Sequence, residues 1–236
     1  MNRTSLSVVI PAYNEARNIG ATLEHVSRAV AGLHVKPEIL VVDDGSDDDT
    51  GAVVLGAANR LPHVRLLTHR TNLGFGAAYQ TGVNAAAGEY IVMVHGDNAW
   101  GDETLRNLFR HAGHADVIVG YTRGMWRSRP LARTAVSKIF TWLVNAITGR
   151  RLQYYNGLQI HRADVLKTMT IESRGYGFQA EVLVKALRRS RTYIEVPMDL
   201  IERRHGASKA FRMRNAVDVV RTLQRLRSLQ GQPGGR

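Results

Sequence analysis

Short runs rich in β-branched residues alternate with helix-length stretches through the first half of the chain, and this rhythm restricts the fold more than any other feature. "LSVVI" precedes Ala16 to Ala31, "EILVV" precedes Thr50 to Asn59, "VRLLT" precedes Gly74 to Ala87, and "YIVMV" precedes Asp102 to Arg110. Strands separated by helices are joined through crossovers, so the pattern predicts βαβ units. The expected class is α/β, a Rossmann-like, mostly parallel sheet with helices on both faces.

Ligands of such sheets bind beyond the carboxyl ends of the strands. Here the first strand runs into "PAYNE", the second into "DDGSDDD" and the fourth into "HGDN". Asp43 and Asp44 are adjacent carboxylates at a strand end, an arrangement that costs repulsion unless a ligand uses it; one of them can accept hydrogen bonds from a base N–H or from ribose hydroxyls. Asp47 to Asp49 are expected to cap the following helix. Asp97 is placed where a carboxylate can reach a divalent cation that bridges two phosphates.

Several chemistries lack their parts. Gly74 and Gly76 follow the third strand, not the first, and position 79 is Tyr, so the dinucleotide fingerprint is absent. Neither a Walker A sequence nor G-x-S-x-G occurs. With no cysteine, strong metal ligands are limited to His, Asp and Glu, which suits a hard cation. No window approaches 18 uninterrupted apolar residues, and the N-terminus has no signal-peptide layout, so a cytoplasmic chain that does not span a membrane is expected.

The net charge of +12 is concentrated: Arg123 to Arg151 holds seven Lys or Arg and no acid, and Arg203 to the end holds nine against Asp218 alone. Basic zones of this kind sit near anionic partners, phosphates first. Nucleic acid is not expected as a partner, because the basic segments lack stacking motifs and acidic strand ends would repel a phosphate backbone. Residues 130–148 read as an amphipathic helix with Pro130 near its start. A strand at "GLQIH", a helix from Phe178 to Arg189 and a strand at "YIEVPM" follow. Residues 1–210 are expected to form the catalytic domain, 211–230 a basic amphipathic helix and 231–236 a disordered tail.

"VVIPAYNEARNI", "EILVVDDGSDDDT", "NLGFGAAYQTGVNAAAGEYIVMVHGD" and "ERRHGASK" together resemble the successive signatures of glycosyltransferase family 2, of GT-A fold. The similarity is strongest to its dolichol-phosphate mannosyltransferase and polyprenyl-phosphate glycosyltransferase branch and covers roughly residues 5–210. The resemblance implies an inverting enzyme that moves a sugar from a nucleotide-sugar donor, UDP- or GDP-linked, to a polyprenyl-phosphate lipid acceptor. Pro11, Tyr13, Glu15, Val42 and Asp44 would line the nucleoside pocket. The family's Asp-x-Asp falls on His95-Gly96-Asp97, so Asp97 matches the metal-holding carboxylate while His95 replaces the first. An imidazole donor leads to the expectation of a divalent metal with Mn²⁺ preferred over Mg²⁺.

Arg203 and Lys209 match a basic loop that closes over the donor diphosphate and neutralises it as it departs. Arg123, at the edge of the donor site, and Arg133 with Ser137 fall on positions that hold the lipid phosphate; 133 and 137 share a helix face. A phosphate acceptor is already a nucleophile and needs no general base. A sugar-hydroxyl acceptor is the alternative, with Glu181 as base; "YYNGLQI" has Asn156-Gly157-Leu158 where that branch usually has Ser-Gly-Phe. A non-catalytic nucleotide-binding module, with His95 marking a degenerate site, is a further alternative. The segments 130–148 and 211–229, with Trp126, Trp142 and Phe211, read either as interfacial helices on a membrane surface or as ordinary packing. Attachment would be peripheral, at the cytoplasmic face, directly or through a membrane partner protein.

Overall fold

The computed structural model describes residues 3–123, 131–173, 177–198 and 213–230, with only the backbone for 131–133, 213–219 and 230. In chain order the elements are β1 (Thr4–Ala12), α1 (Ile19–Val30), β2 (Val35–Asp43), α2 (Thr50–Ala58), β3 (Val64–Thr68), α3 (Phe75–Ala85), β4 (Tyr90–Met93) and α4 (Asp102–Phe109). They continue with β5 (Val117–Thr122), α5 (Leu131–Thr148), β6 (Gln159–Arg162), α6 (Ala163–Lys167), α7 (Phe178–Arg189), β7 (Tyr193–Met198) and α8 (Met213–Gln230).

The strands form one seven-stranded sheet in the order β3-β2-β1-β4-β6-β5-β7. All pairings are parallel except those of β6, which runs antiparallel to both β4 and β5. This reversal matters for the site. Residues leading into β6 arrive at the rim where the parallel strands end, so a segment from the second half of the chain joins the crevice.

Apolar layers cover both faces, which is why the strands read as near-continuous apolar runs. On one face Leu6, Val8, Ile10, Ile39, Val92 and Ile118 pack against α1, α2 and α4; on the other Val9, Leu40, Ile91, Val117 and Val119 pack against α3, α5 and α7. Helix α1 buries Ile19, Leu23 and Val26 at helical spacing, each contributing about 1.5–3 kcal/mol. Helix α7 is buried nearly all round, from Phe178 to Leu187. Helix α8 lies against α5 and α7 and buries Thr222 and Leu226.

Helix α1 starts at Ile19 instead of Ala16, because Asn14 takes a left-handed conformation (φ 55°) and the amides of Asn18 and Ile19 both turn back to the Glu15 carbonyl. Pro130 and the tail 231–236 lie outside the described residues. Among the described residues no helix is long and apolar enough to cross a membrane.

Candidate active site

The loops after β1 and β2 clasp each other at the strand ends. The Asn14 amide donates to Ser46 Oγ (3.0 Å), the Asp47 amide to Asn14 Oδ1 (2.9 Å), the Glu15 amide to Thr50 Oγ1 (2.9 Å) and the Ala16 amide to Asp48 Oδ2 (3.1 Å). The half-exposed Tyr13 donates its hydroxyl to Asp47 Oδ2 (3.4 Å), and Glu15 accepts from Asn18 Nδ2 (2.7 Å). Asp49 occupies the N-cap of α2 without a side-chain cap bond; Asp48 accepts from the Thr50 amide instead (3.0 Å). The expected capping run is therefore mainly a tie between loops. Slight burial pushes the Asp48 carboxyl up, but hydrogen bonds from Thr50 and Ala16 outweigh it and hold the group below the usual range.

Asp43 and Asp44 are both buried, and the chain itself supplies their partners. Ser46 donates to Asp43 through its amide and its hydroxyl. Asp44 Oδ1 accepts from the Leu73 amide (2.9 Å) and faces His69 Nδ1 (2.6 Å), while Oδ2 accepts from the Gly74 amide (2.8 Å). The fold itself offsets the repulsion between the adjacent carboxylates, which corrects the argument from repulsion: Ser46 of the loop after β2 serves Asp43, and the β3–α3 loop serves Asp44. Gly45 is obligatory at this junction, since it has φ 68° and a Cβ there would lie 2.5 Å from the Thr71 carbonyl carbon. Pro11 is buried at the end of β1, in register with Val42. The Val42 side chain is wholly buried beneath α3, close to Gly82.

The loop after β4 carries His95, Gly96 and Asp97. Thr22 Oγ1 donates to the Gly96 carbonyl (3.0 Å) and accepts from the Asn98 amide (3.1 Å), pinning the loop to α1. Asn98 is left-handed (φ 54°), which turns the chain sharply after Asp97. The His95 ring stacks on Phe75, centroids 5.2 Å apart and planes 13° from parallel. Phe75 in turn meets Phe178 edge-on at 5.6 Å, linking this loop to the start of α7. Among the described residues no three His, Asp or Glu side chains converge as a complete metal cage. His95 and Asp97 lie two residues apart on this loop and are of the donor types, imidazole and carboxylate, that a divalent cation accepts.

On the far side of the crevice, exposed Arg123 follows β5, its amide donating to the Met198 carbonyl (3.0 Å). Ser137 is half-buried on α5, with the backbone of Arg133 one turn earlier. The Arg133 side chain, Arg203, Lys209, Trp126 and Phe211 lie outside the described residues. Glu181 is fully buried and its oxygens are taken: Oε1 accepts from Lys185 Nζ (2.6 Å) and the Glu172 amide (3.0 Å), and Oε2 from the Ser173 amide (2.9 Å). Burial pushes its carboxyl up, yet these donors prevail and hold it below its ordinary value. A carboxylate held ionised and enclosed in this way is a poor base.

His69 and Phe75 escaped sequence reasoning. His69 follows β3 at the same rim as Asp44, a position that would have singled it out; the Phe75 stack has no local signal, because it depends on α3 and β4 meeting in space.

The described part of the site thus combines interlocked strand-end loops, a His-x-Asp turn and exposed Arg123 just beyond β5. The family model described as glycosyl transferase family 2 matches residues 7–167. The chain is 31% identical over 211 residues to the undecaprenyl-phosphate mannosyltransferase of Micrococcus luteus, covering 85% of each chain. It is 33% identical over 215 residues to the polyprenol monophosphomannose synthase of Mycolicibacterium smegmatis, covering 86% of this chain and 79% of that one. In fold it is similar to glucosyl-3-phosphoglycerate synthase of Mycobacterium tuberculosis, solved with Mn²⁺, UDP and glucosyl-3-phosphoglycerate (TM-score 0.70, 21% identity, covering 96% of this chain and 80% of that one). With a family model matching well over half its length and relatives of this similarity, the chain belongs to glycosyl transferase family 2.

Proposed function

We propose that this enzyme transfers one sugar from a nucleotide-sugar to a polyprenyl phosphate, with inversion at the anomeric carbon. The observation that carries the choice of acceptor is the state of Glu181. The carboxylate that a hydroxyl acceptor would use as base is buried and fully engaged, whereas a phosphate oxygen attacks without one. The names of the two sequence relatives point the same way.

In this reading the Asp44-braced loops and the segment Pro11 to Glu15 hold the nucleoside. Arg123, Arg133 and Ser137 hold the acceptor phosphate in line with the anomeric carbon, and Arg203 and Lys209 balance charge on the departing diphosphate. His95 and Asp97 fit a divalent metal, which would supply Lewis-acid stabilisation of that leaving group. The structural neighbour is known with UDP and either Mn²⁺ or Mg²⁺; here the imidazole donor leads us to expect Mn²⁺ to serve better.

Helix α5 supports the lipid half of the proposal. Val136, Ile139 and Trp142 are all more than half exposed, at 56%, 58% and 66%, on a helix without a single acid. An apolar stripe flanked by Lys138 suits the boundary of an anionic membrane, with the protein peripheral at the cytoplasmic face. The test is a mass-spectrometric transfer assay: polyprenyl phosphate with UDP- and GDP-sugars, Mn²⁺, Mg²⁺ or EDTA, and Arg133→Ala beside the native protein. A lipid-phosphate-sugar product, lost with EDTA and with the Arg133 change, is expected. Transfer to a sugar hydroxyl that falls 100-fold or more in Glu181→Gln would replace the phosphate acceptor.

A further inference from the structure

The antiparallel course of β6 brings a neutral polar pair to the rim that the reading above leaves without a role. β6 pairs Ile160 with Val92 of β4 and with Ile118 of β5. Beyond the paired residues the segment before β6 stays against β5: the Gly120 amide donates to the Leu158 carbonyl (2.8 Å), so Asn156 precedes β6 at the end of the sheet where Thr122 ends β5. Val92, Val94, Ile118, Leu158 and Ile160 share the core on the α1 and α4 face. Alternation along β5 puts Thr122 on that same face as Ile118.

Both polar groups are buried and unsatisfied. Thr122 is 7% exposed, and among the described residues neither its Oγ1 nor Asn156 Oδ1 has a hydrogen-bond partner. Such groups are rare in folded proteins, because the lost hydration is not returned by the fold.

The segment holding Asn156 is braced through Leu152, Tyr155 and Gly157. Asn145 exchanges two hydrogen bonds with the Leu152 backbone (2.9 and 3.0 Å) and accepts from the Tyr155 hydroxyl (2.8 Å), and Gln159 Nε2 donates to the Tyr155 carbonyl (2.7 Å). Gly157 leaves no latitude, since a Cβ there would stand 2.0 Å from the Gly120 carbonyl oxygen. An uncharged acceptor and a hydroxyl, both without partners among the described residues at the strand-end rim, match the chemistry of a sugar and not that of a phosphate.

We propose that Asn156 and Thr122 form a hydroxyl-binding subsite for the transferred sugar, with Asn156 Oδ1 accepting a hydroxyl hydrogen and so selecting which epimer is used. The assignment rests on the nucleotide-sugar reading of the same crevice. A hydroxyl met by a buried acceptor is discriminated strongly, since its loss leaves that acceptor unpaired.

The experiment measures binding by calorimetry for the native protein, Asn156→Ala, Asn156→Ser and Thr122→Val. The probes are UDP, GDP, UDP-glucose, GDP-mannose and the singly deoxygenated forms of whichever sugar donor binds. Asn156→Ala is expected to weaken the intact sugar donor tenfold or more, to leave the bare nucleotide within twofold, and to bind one particular deoxy donor as well as the native protein does. Thr122→Val, which keeps shape and removes the hydroxyl, should single out the same or the adjacent position. Equal weakening of nucleotide and nucleotide-sugar, or an equal penalty for every deoxy donor, overturns the subsite. Failure of every nucleotide-sugar to bind the native protein overturns the donor reading and the subsite together, so the two failures are distinguishable.

Discussion

Asp44→Asn alters a carboxylate that the geometry assigns to bracing. Oδ1 accepts from the Leu73 amide and faces His69, and Oδ2 accepts from the Gly74 amide. An asparagine can keep the Oδ1 contacts, but its amide nitrogen then meets the Gly74 N–H, donor against donor. One charge-assisted bond is lost and a buried amide is left unpaired at a site only 2% exposed. A charge-assisted bond is worth about 1.5–3 kcal/mol and an orphaned buried donor about 1–3 kcal/mol; since the two overlap, a loss of about 3 kcal/mol is expected. In a chain of this length that corresponds to a fall in Tm of roughly 6–12 °C. Urea unfolding followed by far-UV circular dichroism measures it, and the m-value should hold if only the folded state is affected. The β3–α3 loop leads into Phe75 at the start of α3, which stacks on His95, so nucleotide affinity should fall as well. A variant within about 0.5 kcal/mol of the native protein that loses nucleotide binding would refute the bracing argument and make Asp44 a direct ligand contact.

Lys185→Met should cost about 3 kcal/mol at pH 7, because it strips the cation from fully buried Glu181. The Glu181 carboxyl titrates below its ordinary 4.5 in the folded protein, so the stability it contributes is present above that pH and lost as pH falls below it; the variant's penalty should shrink in urea melts at pH 4. Gly177→Ala would set a Cβ 1.9 Å from Thr222 Oγ1, so about 2 kcal/mol of stability and the docking of α8 should be lost, read as faster tryptic cleavage at Arg221 and Arg225; unchanged cleavage would argue against the contact. Ile139→Glu with Trp142→Glu should reduce co-sedimentation with phosphatidylglycerol vesicles at least tenfold while leaving nucleotide binding intact, and equal sedimentation would remove α5 from the membrane surface.

Local pattern was enough for the strands and helices that build the crevice. The β-branched runs, the polar residues that end them and the apolar face of α5 are properties of neighbouring residues, and α7 spans the stretch expected for it, Phe178–Arg189. The helix at 163–167 was not anticipated, being a single short turn after a strand. Strand direction and side-chain partners are decided by residues far apart in the chain, and there local reasoning stops. Nothing in "GLQIH" distinguishes an antiparallel β6 from a parallel one, yet that direction delivers Asn156 to the rim. The carboxylates of "VVDDGS" read as a pair that needs a ligand until the partners of Asp44 are seen: His69, Leu73 and Gly74 close around it. Glu181 lies where a base was expected along the chain, but the lysine one turn later and the amides at 172 and 173 enclose it. A residue type sets which chemistry is possible; burial and partners, which only the assembled sheet and helices supply, decide which of it is used.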